Sequence, residues 1–191
     1  MNDLILMHAP AIFDFREREM NYGPVSDLVP STPIFEMYPI GYLSIMSNLY
    51  SLGYKIKIEN IAMQMIMNKK FDVKNRLNKL DAKIFGIDLH WMPHVHGAKE
   101  QKPEVPIILG GLSATYFHNE IMKEFPFIDY VMLGDTTEPF FKDLIDSIDE
   151  HHDISNVPNL VYRENGKIKV NKVIPPEKYI DQVKLNYKII I

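Results

Sequence analysis

Three short apolar runs punctuate the chain: Lys83-Ile84-Phe85-Gly86-Ile87, Pro106-Ile107-Ile108-Leu109 and Tyr130-Val131-Met132-Leu133. None alternates with polar residues. Such runs predict strands of a parallel sheet buried on both faces, because a strand with one wet face would alternate. Each stops abruptly in a small or polar segment: Asp88-Leu89-His90-Trp91-Met92-Pro93, Gly110-Gly111-Leu112-Ser113 and Gly134-Asp135-Thr136-Thr137-Glu138. Leu4-Ile5-Leu6-Met7 predicts a first strand. Tyr54 to Glu59, where lysines alternate with apolar residues, predicts a strand near a sheet edge, where lysine discourages unwanted pairing.

Between the strands the period lengthens to that of a helix. Pro39 suits a first helical turn, Leu43, Met46, Leu49 and Tyr50 mark a buried stripe, and Gly53 fits the position just past the C-terminus. A second helix is expected within Ala62–Leu80, with Val73, Leu77 and Leu80 on one face and Met63, Met65 and Met67 as adaptable core filler. Ser113 or Thr115 is placed to cap a helix running to about Phe125, with Phe117, Ile121 and Phe125 together on one face. Asp135 and Glu138 have capping-box spacing ahead of a helix bearing Phe140, Leu144, Ile145 and Ile148. The repeated strand–helix order predicts an α/β fold with a doubly wound parallel sheet of five strands. The third crossover is its weak link. Pro93 to Val105 contains Pro93, Gly97 and Pro103, which leaves room for barely two helical turns where a crossover normally carries a full helix. Either that helix is stunted or residues are missing from the chain.

After Asp149 the pattern changes. Val161-Tyr162-Arg163-Glu164 and Lys167-Ile168-Lys169-Val170 flank Asn165-Gly166, a type I′ hairpin signal. Pro175-Pro176 starts an extended linker. The expected organisation is an α/β domain over 1–153, a β-hairpin extension over 154–176, and over 177–191 a linker or the start of a further domain. The bare apolar end Lys188-Ile189-Ile190-Ile191 reads as that of a fragment. The segment from His8 to about Tyr38 carries Pro10, Pro24, Pro30 and Pro33. Loops of that length are usually functional or disordered, and Phe13, Phe15, Tyr22, Phe35 and Tyr38 suggest one that packs on something.

Composition narrows the chemistry. A chain of 191 residues can bury one full core, and a net charge of -4 with no basic block argues against nucleic acid as a partner. No run is long enough to span a bilayer and no signal pattern opens the chain, so no membrane partner and a cytoplasmic location are expected. The absence of cysteine excludes disulfides, thiolate zinc sites and cysteine-held iron–sulfur clusters within these residues. There is no Walker loop and no serine nucleophile elbow. His8-Ala9-Pro10 stands where a Rossmann Gly-x-Gly-x-x-Gly would follow the first strand, which disfavours nucleoside triphosphates and nicotinamide dinucleotides.

What remains is the carboxyl edge of the sheet, where open α/β folds bind their ligands. Gly110-Gly111 lets a ligand approach the backbone, and Ser113 and Thr115 add hydroxyls. The Gly134–Glu138 segment repeats the theme one strand later, or is simple helix capping. His90, His94 and His96 have spacings that suit a metal, or form a loop of partly buried histidines around Trp91.

Five segments in order carry a resemblance: Tyr38-Pro39-Ile40-Gly41-Tyr42-Leu43, Phe85-Gly86-Ile87-Asp88, Gly110-Gly111-Leu112-Ser113-Ala114-Thr115, Gly134-Asp135-x-x-Glu138 and Val157-Pro158-Asn159-Leu160. Over about residues 1–175 the chain resembles the cobalamin-binding domain at the N-terminus of many radical SAM enzymes. The resemblance implies a flavodoxin-like, Rossmann-like three-layer fold with cobalamin as cofactor, its nucleotide tail in a crevice at the strand ends. It implies that Gly110, Gly111 and Ser113 line the tail, that Asp88, Leu89 and His90 lie beside it, and that the hydroxyls of Ser113 and Thr115 meet tail oxygens. Trp91 would cover a corrin face, and Gly134, Asp135 and Glu138 would close the far side. The implied function is a module that presents the corrin to a radical SAM domain in cis beyond Ile191. S-adenosylmethionine, a 4Fe-4S cluster and methyltransferase-like chemistry would belong to that part, and this chain alone would not be catalytic.

Three departures from the family pattern matter. Many cobalamin domains carry Asp-x-His-x-x-Gly after the first strand, whose His ligates cobalt; here that place is His8-Ala9-Pro10-Ala11-Ile12-Phe13. Asp88-Leu89-His90 imitates the motif after the wrong strand, so His90 would reach cobalt only from a new direction. The third crossover is short by roughly two turns, and the Cys-x-x-x-Cys-x-x-Cys motif is absent. The alternative is a flavodoxin-like domain without cobalamin, acting as a scaffold or as a His-based metal-binding enzyme.

Overall fold

Strand β1 (Asn2–His8) lies inside the sheet and pairs in parallel with β2 (Ile56–Asn60) on one side and β3 (Ala82–Asp88) on the other. The computed structural model describes residues 1–8, 40–88, 98–149, 153–175 and 184–189. From β3 the sheet continues in parallel through β4 (Ile107–Gly110) and β5 (Tyr130–Met132). Antiparallel β6 (Leu160–Glu164) and β7 (Lys167–Val170) then extend the same sheet, giving seven strands in the order β2-β1-β3-β4-β5-β6-β7. The expected strands and their parallel pairing are present, but the sheet has seven strands rather than five. The hairpin hydrogen-bonds to β5 and continues the sheet, because Tyr130 to Met132 present an edge that Leu160 to Tyr162 pair with. Asn165 (φ 51°) and Gly166 (φ 76°) both take the positive φ that a type I′ turn requires.

Strand residues alternate between two buried faces. Leu4, Leu6, Ile84, Ile108 and Met132 point to one face, covered by α1 (Ile40–Ser51) and α6 (Glu138–Asp149). Ile5, Met7, Phe85, Ile87, Leu109 and Val131 point to the other. That face is covered by α2 (Ile61–Met67), α3 (Val73–Asn78), α4 (Leu112–Tyr116) and α5 (His118–Glu124). Both faces being dry explains why the strands read as unbroken apolar runs.

Several helices differ from expectation in instructive ways. The single helix expected within Ala62–Leu80 is two, because Asn60 and Asp72 each cap a start by accepting from the backbone N–H three residues on. Of the three methionines only Met65 is buried, and Met67 is 72% exposed. On α1, Tyr42 takes the core position expected of Tyr50, which is exposed. The helix expected to run through Phe125 breaks at Phe117, which lies outside the core, and Gly111 rather than Ser113 or Thr115 stands at its N-cap. Helix α6 begins at Glu138, three residues beyond Asp135, so Asp135 is not in a capping-box position. In the third crossover, residues 98–101 are helical. The proline-rich segment of 9–39 and the His90, His94 and His96 cluster lie outside the described residues, apart from His8 at the end of β1.

Candidate functional site: a cleft at the carboxyl edge of the sheet

The crossovers from β1 and β2 leave on opposite faces, so the sheet has its switch point between β1 and β3, where doubly wound sheets bind ligands. A cleft opens there, with about 700 Å³ of empty space counted to its open mouth. Asp88, Gly110, Gly111, Gly134 and Asp135 all border it, so the carboxyl ends of β3, β4 and β5 meet at one site. The cleft continues between the sheet and the pair α1 and α6, where Leu6, Ile45, Ile108 and Phe141 give it apolar walls.

Gly86 shapes the floor. It stands mid-strand in β3, in register with Leu6 on one side and Ile108 on the other. A Cβ there would sit 2.8 Å from Leu6 Cδ2 and 3.3 Å from Leu4 Cδ1. The missing side chain therefore lets neighbouring leucines lean over the strand and leaves a dent in the row.

Tyr42 holds the upper edge. Its hydroxyl donates to the Met7 carbonyl (2.9 Å) and accepts from the Asp88 N–H. The β1–β3 pairing stops at Met7 and Ile87. The phenol thus takes the place of the next ladder bond and wedges the strand ends apart. Burial, and then the nearby Asp88 carboxylate, push its pKa well above the usual tyrosine value, so the hydroxyl remains protonated. Tyr42→Phe keeps the packing but strands a buried carbonyl and a partly buried N–H. It is expected to lower stability by about 1–3 kcal/mol, read as a lower urea midpoint. An unchanged midpoint would show that the wedge contributes nothing.

Gly111 and Thr115 tie the loops together. Thr115 Oγ1 donates to the Gly111 carbonyl (3.0 Å) and accepts from the Gly134 N–H (3.0 Å), so it bridges two glycine loops. Ser113 is exposed on α4, and neither it nor Thr115 lines the cleft; Leu112 does. Glu138, nearly buried at the start of α6, accepts from the Ser44 hydroxyl of α1 (2.5 Å), which pins the two helices where they flank the cleft. Leu89, His90 and Trp91 lie outside the described residues.

Sequence reasoning missed Gly41, Tyr42, Ile45, Gly86 and Phe141 as lining residues. One signal was available: a lone glycine inside an otherwise apolar strand, at Gly86. The others come from helices whose approach to the sheet edge has no local signature. Among the described lining residues no side chain is cationic, whereas Asp88, Asp135 and Glu138 are carboxylates. The cleft therefore suits a ligand with an apolar slab and peripheral hydrogen-bond donors. Among the described residues, no cluster of His, Asp and Glu could hold a metal ion, and no helix is long and apolar enough to cross a membrane.

This is a mixed α/β domain with a seven-stranded, mostly parallel sheet of Rossmann-like kind and a cleft at its switch point, and comparison with known structures gives the fold its neighbours. The radical SAM methyltransferase TsrM of Kitasatospora setae, with cobalamin and a [4Fe-4S] cluster bound, superposes with a TM-score of 0.62 at 15% identity, over 91% of this chain and 30% of that one. The cobalamin-dependent radical enzyme OxsB with aqua-cobalamin bound gives 0.59 at 15% identity, over 96% of this chain and 24% of that one. In sequence, an uncharacterized methyltransferase of Pyrococcus horikoshii is 25% identical over 154 residues, 76% of this chain and 32% of that protein. The anaerobic magnesium-protoporphyrin IX monomethyl ester cyclase of Rubrivivax gelatinosus is 28% identical over 90 residues, 45% of this chain and 16% of that protein. No protein-family model matches. The chain thus spans about a third or less of the relatives it matches. Its fold neighbours are cobalamin-dependent radical SAM enzymes, the kind its motifs resemble.

Proposed function

We propose that this chain is a cobalamin-binding module that presents the corrin to a radical SAM domain in the same parent protein. The observation that carries the reading is the cleft: an apolar slot between the sheet and helices α1 and α6, floored by Gly86 and opening at the carboxyl ends of β3, β4 and β5. The residues present fit the cofactor. The flat base of a nucleotide tail suits the slot between Leu6, Ile45, Ile108 and Phe141. Gly110 and Gly111 leave backbone open to close approach by the tail. The carboxylates of Asp88 and Asp135 would accept from corrin amides, and Glu138 would accept with whatever capacity Ser44 leaves it. When bound, cobalamin supplies a cobalt centre able to carry an alkyl group, and the protein supplies binding, orientation and exclusion of water. With no cysteine, the chain offers no ligands for the cluster that cleaves S-adenosylmethionine, so that chemistry belongs to the parent's other part. At cobalt, water or no protein ligand is favoured over His90, and Trp91 would cover a corrin face.

The test is direct. After incubation with hydroxocobalamin and desalting, the chain is expected to retain about one corrin per protein, with a visible spectrum shifted from that of the free cofactor. Cobalamin that elutes entirely in the small-molecule fraction would sink the reading.

A further inference from the structure

Leu133, the residue that follows β5, has both its backbone polar groups held by one buried residue, Asn159. Asn159 is 3% exposed and has a φ of 59°, a left-handed value uncommon for a residue with a Cβ. Its backbone carbonyl accepts from the Leu133 N–H (2.8 Å), and its Nδ2 donates to the Leu133 carbonyl (2.8 Å). Both polar groups of Leu133 are therefore fixed by Asn159 immediately before the chain turns at Gly134.

The other side of the same amide grips a distant segment. Nδ2 also donates to the Ile174 carbonyl (3.1 Å), and Oδ1 accepts from the Ile174 N–H (2.7 Å). The Asn159 N–H donates to the Lys172 carbonyl (3.1 Å). The side-chain amide thus behaves as one extra strand residue between the end of β5 and residues 171–175. From Leu133 the connection runs on. The Gly134 N–H donates to Thr115 Oγ1, Thr115 Oγ1 donates to the Gly111 carbonyl, and a Cβ on Gly134 would come within 3.4 Å of Asn159 Nδ2.

We propose that Asn159 is a positioning residue for the cleft: it transmits the placement of the 171–175 segment to the Gly134 and Gly111 loops and so sets how tightly the cleft holds its ligand. The ligand half of this rests on the cobalamin reading; the mechanical half does not. A left-handed Asn is the position where an amide reaches backbone on two sides without a longer side chain's entropy, and burial makes each unmade bond costly.

The test uses Asn159→Gly, which keeps the positive φ and removes only the amide, with Asn159→Asp as an isosteric second variant that loses both donated bonds. Hydrogen exchange on the ligand-free chain is expected to show the Gly134 amide exchanging about tenfold faster in Asn159→Gly, the scale of one buried hydrogen bond. Amides of β1 and β3 are expected to be unchanged. Loss of protection at Ile174 alone, with Gly134 unchanged, would overturn the coupling and leave Asn159 as a local anchor. Hydroxocobalamin affinity is expected to fall about tenfold in the same variant; equal affinity with a loosened Gly134 would overturn the claim that the coupling sets binding. If wild type takes up no cobalamin, the functional reading falls, and the exchange result still decides the coupling.

Discussion

Gly111→Ala is expected to abolish ligand uptake by the cleft. Gly111 has φ 92° and ψ 169°, a region that essentially only glycine occupies. A Cβ there would also meet Asp88 Oδ1 at 2.5 Å, inside any normal contact. The methyl group must therefore push the Asp88 carboxylate aside or rotate the loop, and both line the cleft. Strain of this kind costs about 1–3 kcal/mol, so the variant should remain folded with a lowered urea midpoint and no retained corrin. Gly111→Val adds a β-branched side chain to the same strain and should be worse on both counts. Undiminished binding in Gly111→Ala would show that the loop adapts and that Gly111 serves only the turn.

Arg76→Ala is expected to give the largest loss of stability outside the cleft, and the loss should vanish in acid. Glu59, 2% exposed at the end of β2, receives Arg76 through two bonds of 2.7 Å, Gln64 at 2.6 Å and Lys57 at 2.8 Å. This one carboxylate ties α2 and α3 to the edge strand. Burial pushes its pKa up, but hydrogen bonds from Arg76, Lys57 and Gln64 outweigh that and bring it down to about 2. A depressed carboxyl contributes stability above its unfolded pKa, near 4.5, and loses it as pH falls through the folded value. Removing Arg76 strands a nearly buried charge and should cost roughly 2–4 kcal/mol at neutral pH, somewhat below a fully buried pair because Arg76 is partly exposed. The difference between variant and wild type should shrink from about pH 4.5 downward and be gone only below about pH 2. A difference that stays constant with pH would place the contribution in packing of the Arg76 stem instead.

The two sides of the comparison between sequence and structure have a common cause. Parallel strands buried on both faces must be apolar throughout, so β1, β3, β4 and β5 were legible as runs, and the abrupt ends of β3, β4 and β5 located the sheet edge that borders the cleft. Asn165-Gly166 announced its hairpin because few residues take two successive positive φ values. These are local constraints, written in neighbouring residues.

The missed features depend on residues far apart in the chain. Whether Tyr42 or Tyr50 is buried depends on how α1 rolls against α6 and the sheet, which no helical period specifies to within one residue. That the hairpin joins the parallel sheet depends on an unpaired edge of β5, 30 residues before Leu160 in the case of Tyr130. Thr115 looked like a cap or a ligand donor, yet its hydroxyl bridges Gly111 and Gly134, 4 and 19 residues away. Asn159 looked like a motif residue, yet its amide joins Leu133 to Ile174. The strands, their parallel order and the edge that carries the site follow from which residues must avoid water. The shape of the cleft and the bonds that hold its loops exist only once distant backbone groups, each needing a partner when buried, are brought together.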